Sequence, residues 1–182
     1  VMLIRAGMNP WLALIFAFLA GMAAGFITGM LHTALGIPGI LASILTQISL
    51  YSINLNILGS SSQAVSVDKY SLVVSLRYIS DSTASKIRMF TTCILFCVVL
   101  VAILYWYFGT EQGSAIRATG CNPAMSKAQG INIDNMKLIG LALSNAIVAL
   151  SGGLLSQYSG FSDVNMGRGG IVIGLAAVII GE

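Results

Sequence analysis

Three long tracts of this chain carry no Asp, Glu, Lys or Arg: Ala6 to Val67, Met89 to Thr110 and Leu138 to Ser162. A helix of about 20 mostly apolar residues crosses roughly 30 Å of hydrocarbon, and each tract is long enough to supply one. The first tract holds two candidate helices. One is predicted over about 10–31, with Asn9 as N-cap and Pro10 at the first helical position, where a missing N–H costs nothing. The second is predicted over about 40–58, after a break from His32 to Gly39 that contains Gly36, Pro38 and Gly39. Further helices follow over about 89–108 and 138–157, and another begins near 171. Tyr105, Trp106 and Tyr107 at the end of the third match the aromatic belt at a hydrocarbon boundary. The fold class expected is therefore all-α, a polytopic transmembrane helical bundle.

Small residues refine that picture. Ala17, Gly21, Gly25 and Gly29 recur every fourth residue, so one stripe of the first helix lacks bulk and another backbone can approach closely. A similar spacing, Gly140, Ser144, Gly152, Ser156 and Gly160, marks the fourth helix, interrupted by Val148. The second helix differs, because Ser43, Thr46, Gln47, Ser49, Tyr51, Ser52, Asn54 and Asn56 make it too polar to face lipid. It is expected to lie inside the bundle. Ser43, Gln47, Tyr51 and Asn54 fall within an arc of about 80° at helical periodicity. An amide in hydrocarbon needs a partner and faces protein or a water-filled path. Gln47, Tyr51, Asn54 and Asn145 are accordingly the candidates for lining a translocation path, with hydrogen bonding between helices as the equal alternative.

Composition agrees with a bilayer as solvent: 57% of residues are apolar, 8% are charged, and the mean hydropathy is +0.90. The net charge of +3 comes from basic residues scattered over the connections, which form no patch able to track phosphates, so nucleic acid is not expected as a partner. Cys93, Cys97 and Cys121 show no paired framework and read as free thiols. The sequence carries no Walker loop, no HExxH and no nucleophile elbow, which disfavours a membrane-embedded enzyme. One histidine, His32, is too little for a metal site and reads as a hydrogen-bonded structural group rather than a proton sensor. The apolar tracts hold no ionisable residue for a proton relay; this weakens the alternative of a secondary transporter or channel subunit. The chain opens on Val1 and stops at Glu182 just past an apolar run too short to span, so it reads as truncated at both ends.

The most informative segment is the polar connection 109–137, too long for a tight turn. Asn122 and Pro123 form a helix start and Gly130 a helix stop, enclosing a short helix of about 123–129. Its small and basic residues suit a knob seated in another protein's cleft, or else a connector lying on headgroups. The run Ala115-Ile116-Arg117-Ala118-Thr119-Gly120-Cys121-Asn122-Pro123, followed by Ala128-Gln129-Gly130-Ile131-Asn132, resembles the coupling segment of ABC importer permeases of the branched-chain amino acid and ribose type. Leu31-His32-Thr33, Ile37-Pro38, Leu50 to Leu55 and Gly160 to Gly167 resemble the tryptophan or tyrosine transport permease subgroup.

That resemblance implies a role for Arg117, Gly120, Asn122, Pro123, Lys127, Ala128 and Gly130 in coupling to an ATPase. It implies cytoplasmic ATP-binding subunits, an extracytoplasmic substrate-binding protein and a second permease subunit, as a homodimer, in the lipid of a bacterial cytoplasmic (inner) membrane. No cofactor would be bound by this chain; ATP would act through the partner. An amino acid is the expected solute, and the family's larger helix number implies helices before Val1 and after Glu182. With 109–137 inside, Arg117, Lys127 and Lys137 are cytoplasmic, while Arg5, Lys69, Arg77, Lys86, Arg88 and Arg168 fall outside, against the usual charge bias. The coupling motif is taken to set the orientation.

Overall fold

The computed structural model describes residues 2–59, 62–64 and 83–181. The apolar alternation expected over 70–76 lies outside them. In chain order the elements are α1 (Met2–Arg5), α2 (Pro10–Thr33), α3 (Gly39–Leu58), β1 (Ser62–Ala64), α4 (Thr83–Phe108), α5 (Glu111–Cys121), α6 (Pro123–Ala128), α7 (Ile133–Ser159), β2 (Phe161–Asp163) and α8 (Arg168–Gly181). Among the described residues, four helices are long and apolar enough to cross a membrane: α2, α3, the Phe90–Phe108 part of α4, and α7. The chain is a multi-pass all-α membrane protein.

The centre of the bundle is the pair α2 and α7, and glycine is what brings them together. A Cβ on Gly25 would lie 2.6 Å from the Leu141 carbonyl oxygen and 2.8 Å from Ala142 Cα. One on Gly21 would strike Ala149 and Asn145, and one on Gly29 would meet Leu138 at 3.2 Å. Further along, Gly153 faces Leu14 and Ala17, and the buried Gln157 donates from Nε2 to the Pro10 carbonyl at 3.4 Å. Partner numbers on α7 fall as those on α2 rise, so the helices are antiparallel. In lipid, where apolar side chains gain nothing by leaving hydrocarbon, association rests on such close packing.

The α2 stripe is thus the expected one, but its partner is not. On α7 the seam is Leu138, Ala142, Asn145, Ala149 and Gly153, with Ala142 and Ala146 buried. Of the stripe expected there, Ser144 and Gly152 are exposed and Val148 is 67% exposed; Gly140 instead touches Ile116 of α5. Alanine serves as the small residue on the true face, and a pattern restricted to Gly and Ser points to the neighbouring one.

α3 packs more sparsely within this chain. Only Ala42 and Thr46 are buried along it, both against α2. The bulkless stripe of α2 is occupied by α7, leaving only the edge carrying Thr28 for α3. No residue of the spanning part of α4 is buried.

The two strands pair antiparallel, Ser62 with Asp163 and Ala64 with Phe161. Each follows a helix that ends on a left-handed glycine, Gly59 at φ +68° and Gly160 at φ +72°, a conformation that costs glycine no Cβ clash. The pairing puts the ends of α3 and α7 at one face of the bundle, beside the start of α2. The α2–α3 turn and the α4–α7 connection then lie at the other.

Candidate functional site

The connection between α4 and α7 is built from capped turns. α4 stops at Phe108 because Gly109 and Thr110 turn the chain: the Gly109 N–H donates to the Trp106 carbonyl at 3.1 Å, and the Thr110 hydroxyl donates to the Tyr107 carbonyl at 2.6 Å. Thr110 then caps α5, its oxygen accepting from the Gly113 N–H. Gly113 is buried where any Cβ would collide with the Phe108 backbone, so α5 folds directly back on α4. Arg117 locks this corner, Nη2 donating to the Phe108 carbonyl at 3.1 Å. A cation at a helix C-terminus is favourable, by about 0.3–1 kcal/mol at an exposed site.

Asn122 ends α5 and starts α6. Its backbone is extended at φ −150°, and its Oδ1 accepts from the Met125 N–H at 3.1 Å. Pro123 follows at the first helical position, where no donor is needed. At the other end Gly130 sits at φ +82°, its N–H donating to the Lys127 carbonyl, while the Ile131 N–H reaches back to the Ser126 carbonyl at 3.1 Å. This reciprocal pair satisfies the last carbonyls of α6. Asn132 caps α7, accepting from the Asn135 N–H. Only Ser126 of α6 is buried, at 2% exposure, with its hydroxyl donating to the Asn122 carbonyl. Pro123, Ala124, Met125, Lys127 and Ala128 are exposed, and a Cβ on exposed Gly120 would meet nothing within 4 Å.

The expected short helix is therefore present and faces outward, close to its expected bounds. Two things were missed. One is α5, whose signal was Thr110 followed by Glu111, a cap and an acidic first turn. The other is the role of Arg117, which points back to α4 and whose partner is nine residues away.

The four path candidates do not form one cluster. Gln47 and Asn54 are exposed on α3 and Tyr51 is half-buried there. Asn145 instead sits in the α2–α7 seam, its Nδ2 donating to the Leu141 carbonyl of its own helix at 2.9 Å. His32 closes the α2–α3 turn through Nδ1 and the Ile37 carbonyl at 2.8 Å. Among the described residues, no group of three or more His, Cys, Asp or Glu side chains could hold a metal.

The family model described as branched-chain amino acid transport system, permease component, matches residues 1–182. The chain belongs to this permease family. It is 38% identical over 175 residues to a tyrosine transport system permease protein of Clostridioides difficile, covering 96% of this chain and 56% of that protein. An uncharacterized protein of Rickettsia prowazekii is 33% identical, over 93% of this chain and 58% of its own length. The autoinducer 2 import system permease protein LsrC of Yersinia enterocolitica is 29% identical, over 99% of this chain and 48% of its own. The permease chain thus spans about half the length of these relatives, and no solved structure gives a significant match.

Proposed function

We propose that this chain is the permease subunit of an ABC importer in the bacterial cytoplasmic membrane, moving a small solute, an amino acid, with energy from separate ATP-binding subunits. Membership of the permease family supports the class, and the tyrosine permease relative favours an amino acid over other solutes. The observation that carries the coupling role is α6. It is capped at both ends, anchored by one buried serine, and otherwise turned outward at the end of the bundle. A helix held this way transmits a push without unwinding, because its terminal N–H and C=O groups are already satisfied.

In this reading Arg117, Gly120, Asn122, Pro123, Lys127, Ala128 and Gly130 form the lever. A cytoplasmic ATPase seats against α6, and α5 carries the movement to the end of α4 through Arg117 and to α7 through Ile116 and Gly140. Gln47, Tyr51 and Asn54 border the path, while the packing of Asn145 supports a seam role for it. An extracytoplasmic binding protein delivers solute at the strand face, and a second permease copy completes the path.

Uptake into vesicles carrying the complete system tests this. Replacing Gly120 by Leu leaves the fold unhindered, since open space surrounds that position. Expected is normal insertion and continued ATP hydrolysis with uptake lost; unchanged coupling contradicts the assignment.

A further inference from the structure

α3 is tied to the α2–α7 pair at both of its ends, and by different means. At its start stand the short 34–38 turn, closed by the His32 Nδ1 hydrogen bond to the Ile37 carbonyl, and the Thr28–Thr46 hydroxyl contact at 3.0 Å beside the fully buried Ala42. That hydroxyl contact holds little by itself. Thr28 Oγ1 lies equally close to the Ala24 carbonyl of its own helix, and Thr46 Oγ1 donates to the Ala42 carbonyl, so neither depends on the other.

At the far end the tie is backbone to backbone. β1 and β2 pair antiparallel, Ser62 with Asp163, Gln63 with Ser162 and Ala64 with Phe161. Side chains fasten this ribbon and the helix ends around it. Gln63 Nε2 donates to the Leu58 carbonyl in the last turn of α3 at 2.9 Å. Gln157, just before the Gly160 cap of α7, donates to the Pro10 carbonyl in the first turn of α2. Past β2, the Asp163 carboxylate accepts from the Asn165 N–H at 2.7 Å and turns the chain away. A two-stranded ribbon is marginal in isolation. Here the α2–α7 seam already gathers the helix ends, so the entropy of closing the long loop between residues 64 and 161 falls on the seam rather than on the strands.

We infer that the β1–β2 pair is a permanent clasp, which makes α2, α3 and α7 one rigid body and stays closed throughout transport. Its consequence for solute rests on the proposed function: α5 meets α7 at Gly140, so a displacement of the coupling segment reaches α7 there. The clasp passes the same displacement to the end of α3, and Gln47, Tyr51 and Asn54 move with α7 rather than against it. The path opens between this body and the rest of the transporter, not inside it.

Cysteines in place of Ala64 and Phe161, in a cysteine-free version of the complete transporter, test the clasp. These residues are register partners, and directly opposed Cα atoms in an antiparallel pair lie about 4.5–5.5 Å apart, within disulfide reach. Oxidation of Ala64→Cys with Phe161→Cys is expected to form the disulfide and leave uptake unchanged. Uptake lost on oxidation and recovered on reduction means a clasp that must open, and overturns the inference; so does failure of the disulfide to form. A readout without transport separates this from failure of the proposed function. Spin labels at Ile57→Cys and Leu155→Cys, both exposed, are expected to give one narrow distance by pulsed EPR, unchanged by nucleotide. Adding Gln63→Pro, which removes the tie to Leu58 and a backbone donor, is expected to broaden that distance. A two-peaked or nucleotide-dependent distance, or no broadening with Gln63→Pro, overturns the inference even where uptake is normal. Absence of uptake in the reduced protein with one narrow distance removes only the importer assignment.

Discussion

Gly25 and Thr46 both mark places where a neighbour meets α2, yet they represent two kinds of helix junction. At Gly25 the backbones themselves touch, and the seam continues from Leu138 to Gln157 of α7. At Thr46 the contact is made by side chains, one hydroxyl pair beside the buried Ala42, and the far end of α3 is held instead through the β1–β2 pairing. The lesson concerns what lipid permits. With no hydrophobic gain from helix association, rigidity comes from the absence of side chains, and a contact made by side chains with spare acceptors can be exchanged at little cost.

The largest effect follows from filling the seam. Gly25→Leu forces a side chain onto the Leu141 carbonyl and the Ala142 backbone, and overpacking that cannot be relieved is expected to cost about 3 kcal/mol or more. Gly152→Leu, on α7 but facing open space, is expected to change stability by less than about 0.5 kcal/mol. Denaturant unfolding of the purified protein compares them, and equal losses would erase the distinction between seam and free face. Next comes the cap of α6. Asn122→Ala removes the acceptor for the Met125 N–H and is expected to cost about 1 kcal/mol, read as faster amide exchange over 123–128 with the spanning helices unaffected. Smaller still, Thr28→Val breaks the hydroxyl pair and is expected to cost about 0.6 kcal/mol, the average for a hydrogen bond between membrane helices. Least of all, Gln47→Ala at an exposed position is expected to leave stability within about 0.5 kcal/mol while changing uptake kinetics; a large loss of stability would make Gln47 a packing residue instead.

Much of the architecture was legible because hydrocarbon imposes a strict rule on sequence. Runs without charge mark the spans, and the Asn9-Pro10 and Asn122-Pro123 pairs mark helix starts wherever they occur. Boundaries drifted where polar residues sit inside a helix: α7 begins at Ile133 under the Asn132 cap, although Asp134 and Lys137 make that turn look like loop. The seam was half legible. Glycine on α2 announced close approach, but on α7 alanine fills the same role and is common enough to give no signal. The strand pair was not legible at all, since Ser62–Ala64 and Phe161–Asp163 are three residues each and too far apart in the chain for periodicity to connect them. At the candidate site, the caps of α6 were readable from local spacing. The Arg117 contact with Phe108 was not, because it depends on α5 folding back over Gly113.

The coupling role of α6 depends on which partner touches it. Met125 is 59% exposed at its centre, so a photo-crosslinker placed there reports the neighbour directly. In membranes containing the assembled system, a covalent adduct with the ATP-binding subunit is expected, with a yield that changes when nucleotide is added. Adducts with the extracytoplasmic binding protein, or labelling of that position by an impermeant reagent from outside intact cells, would contradict it.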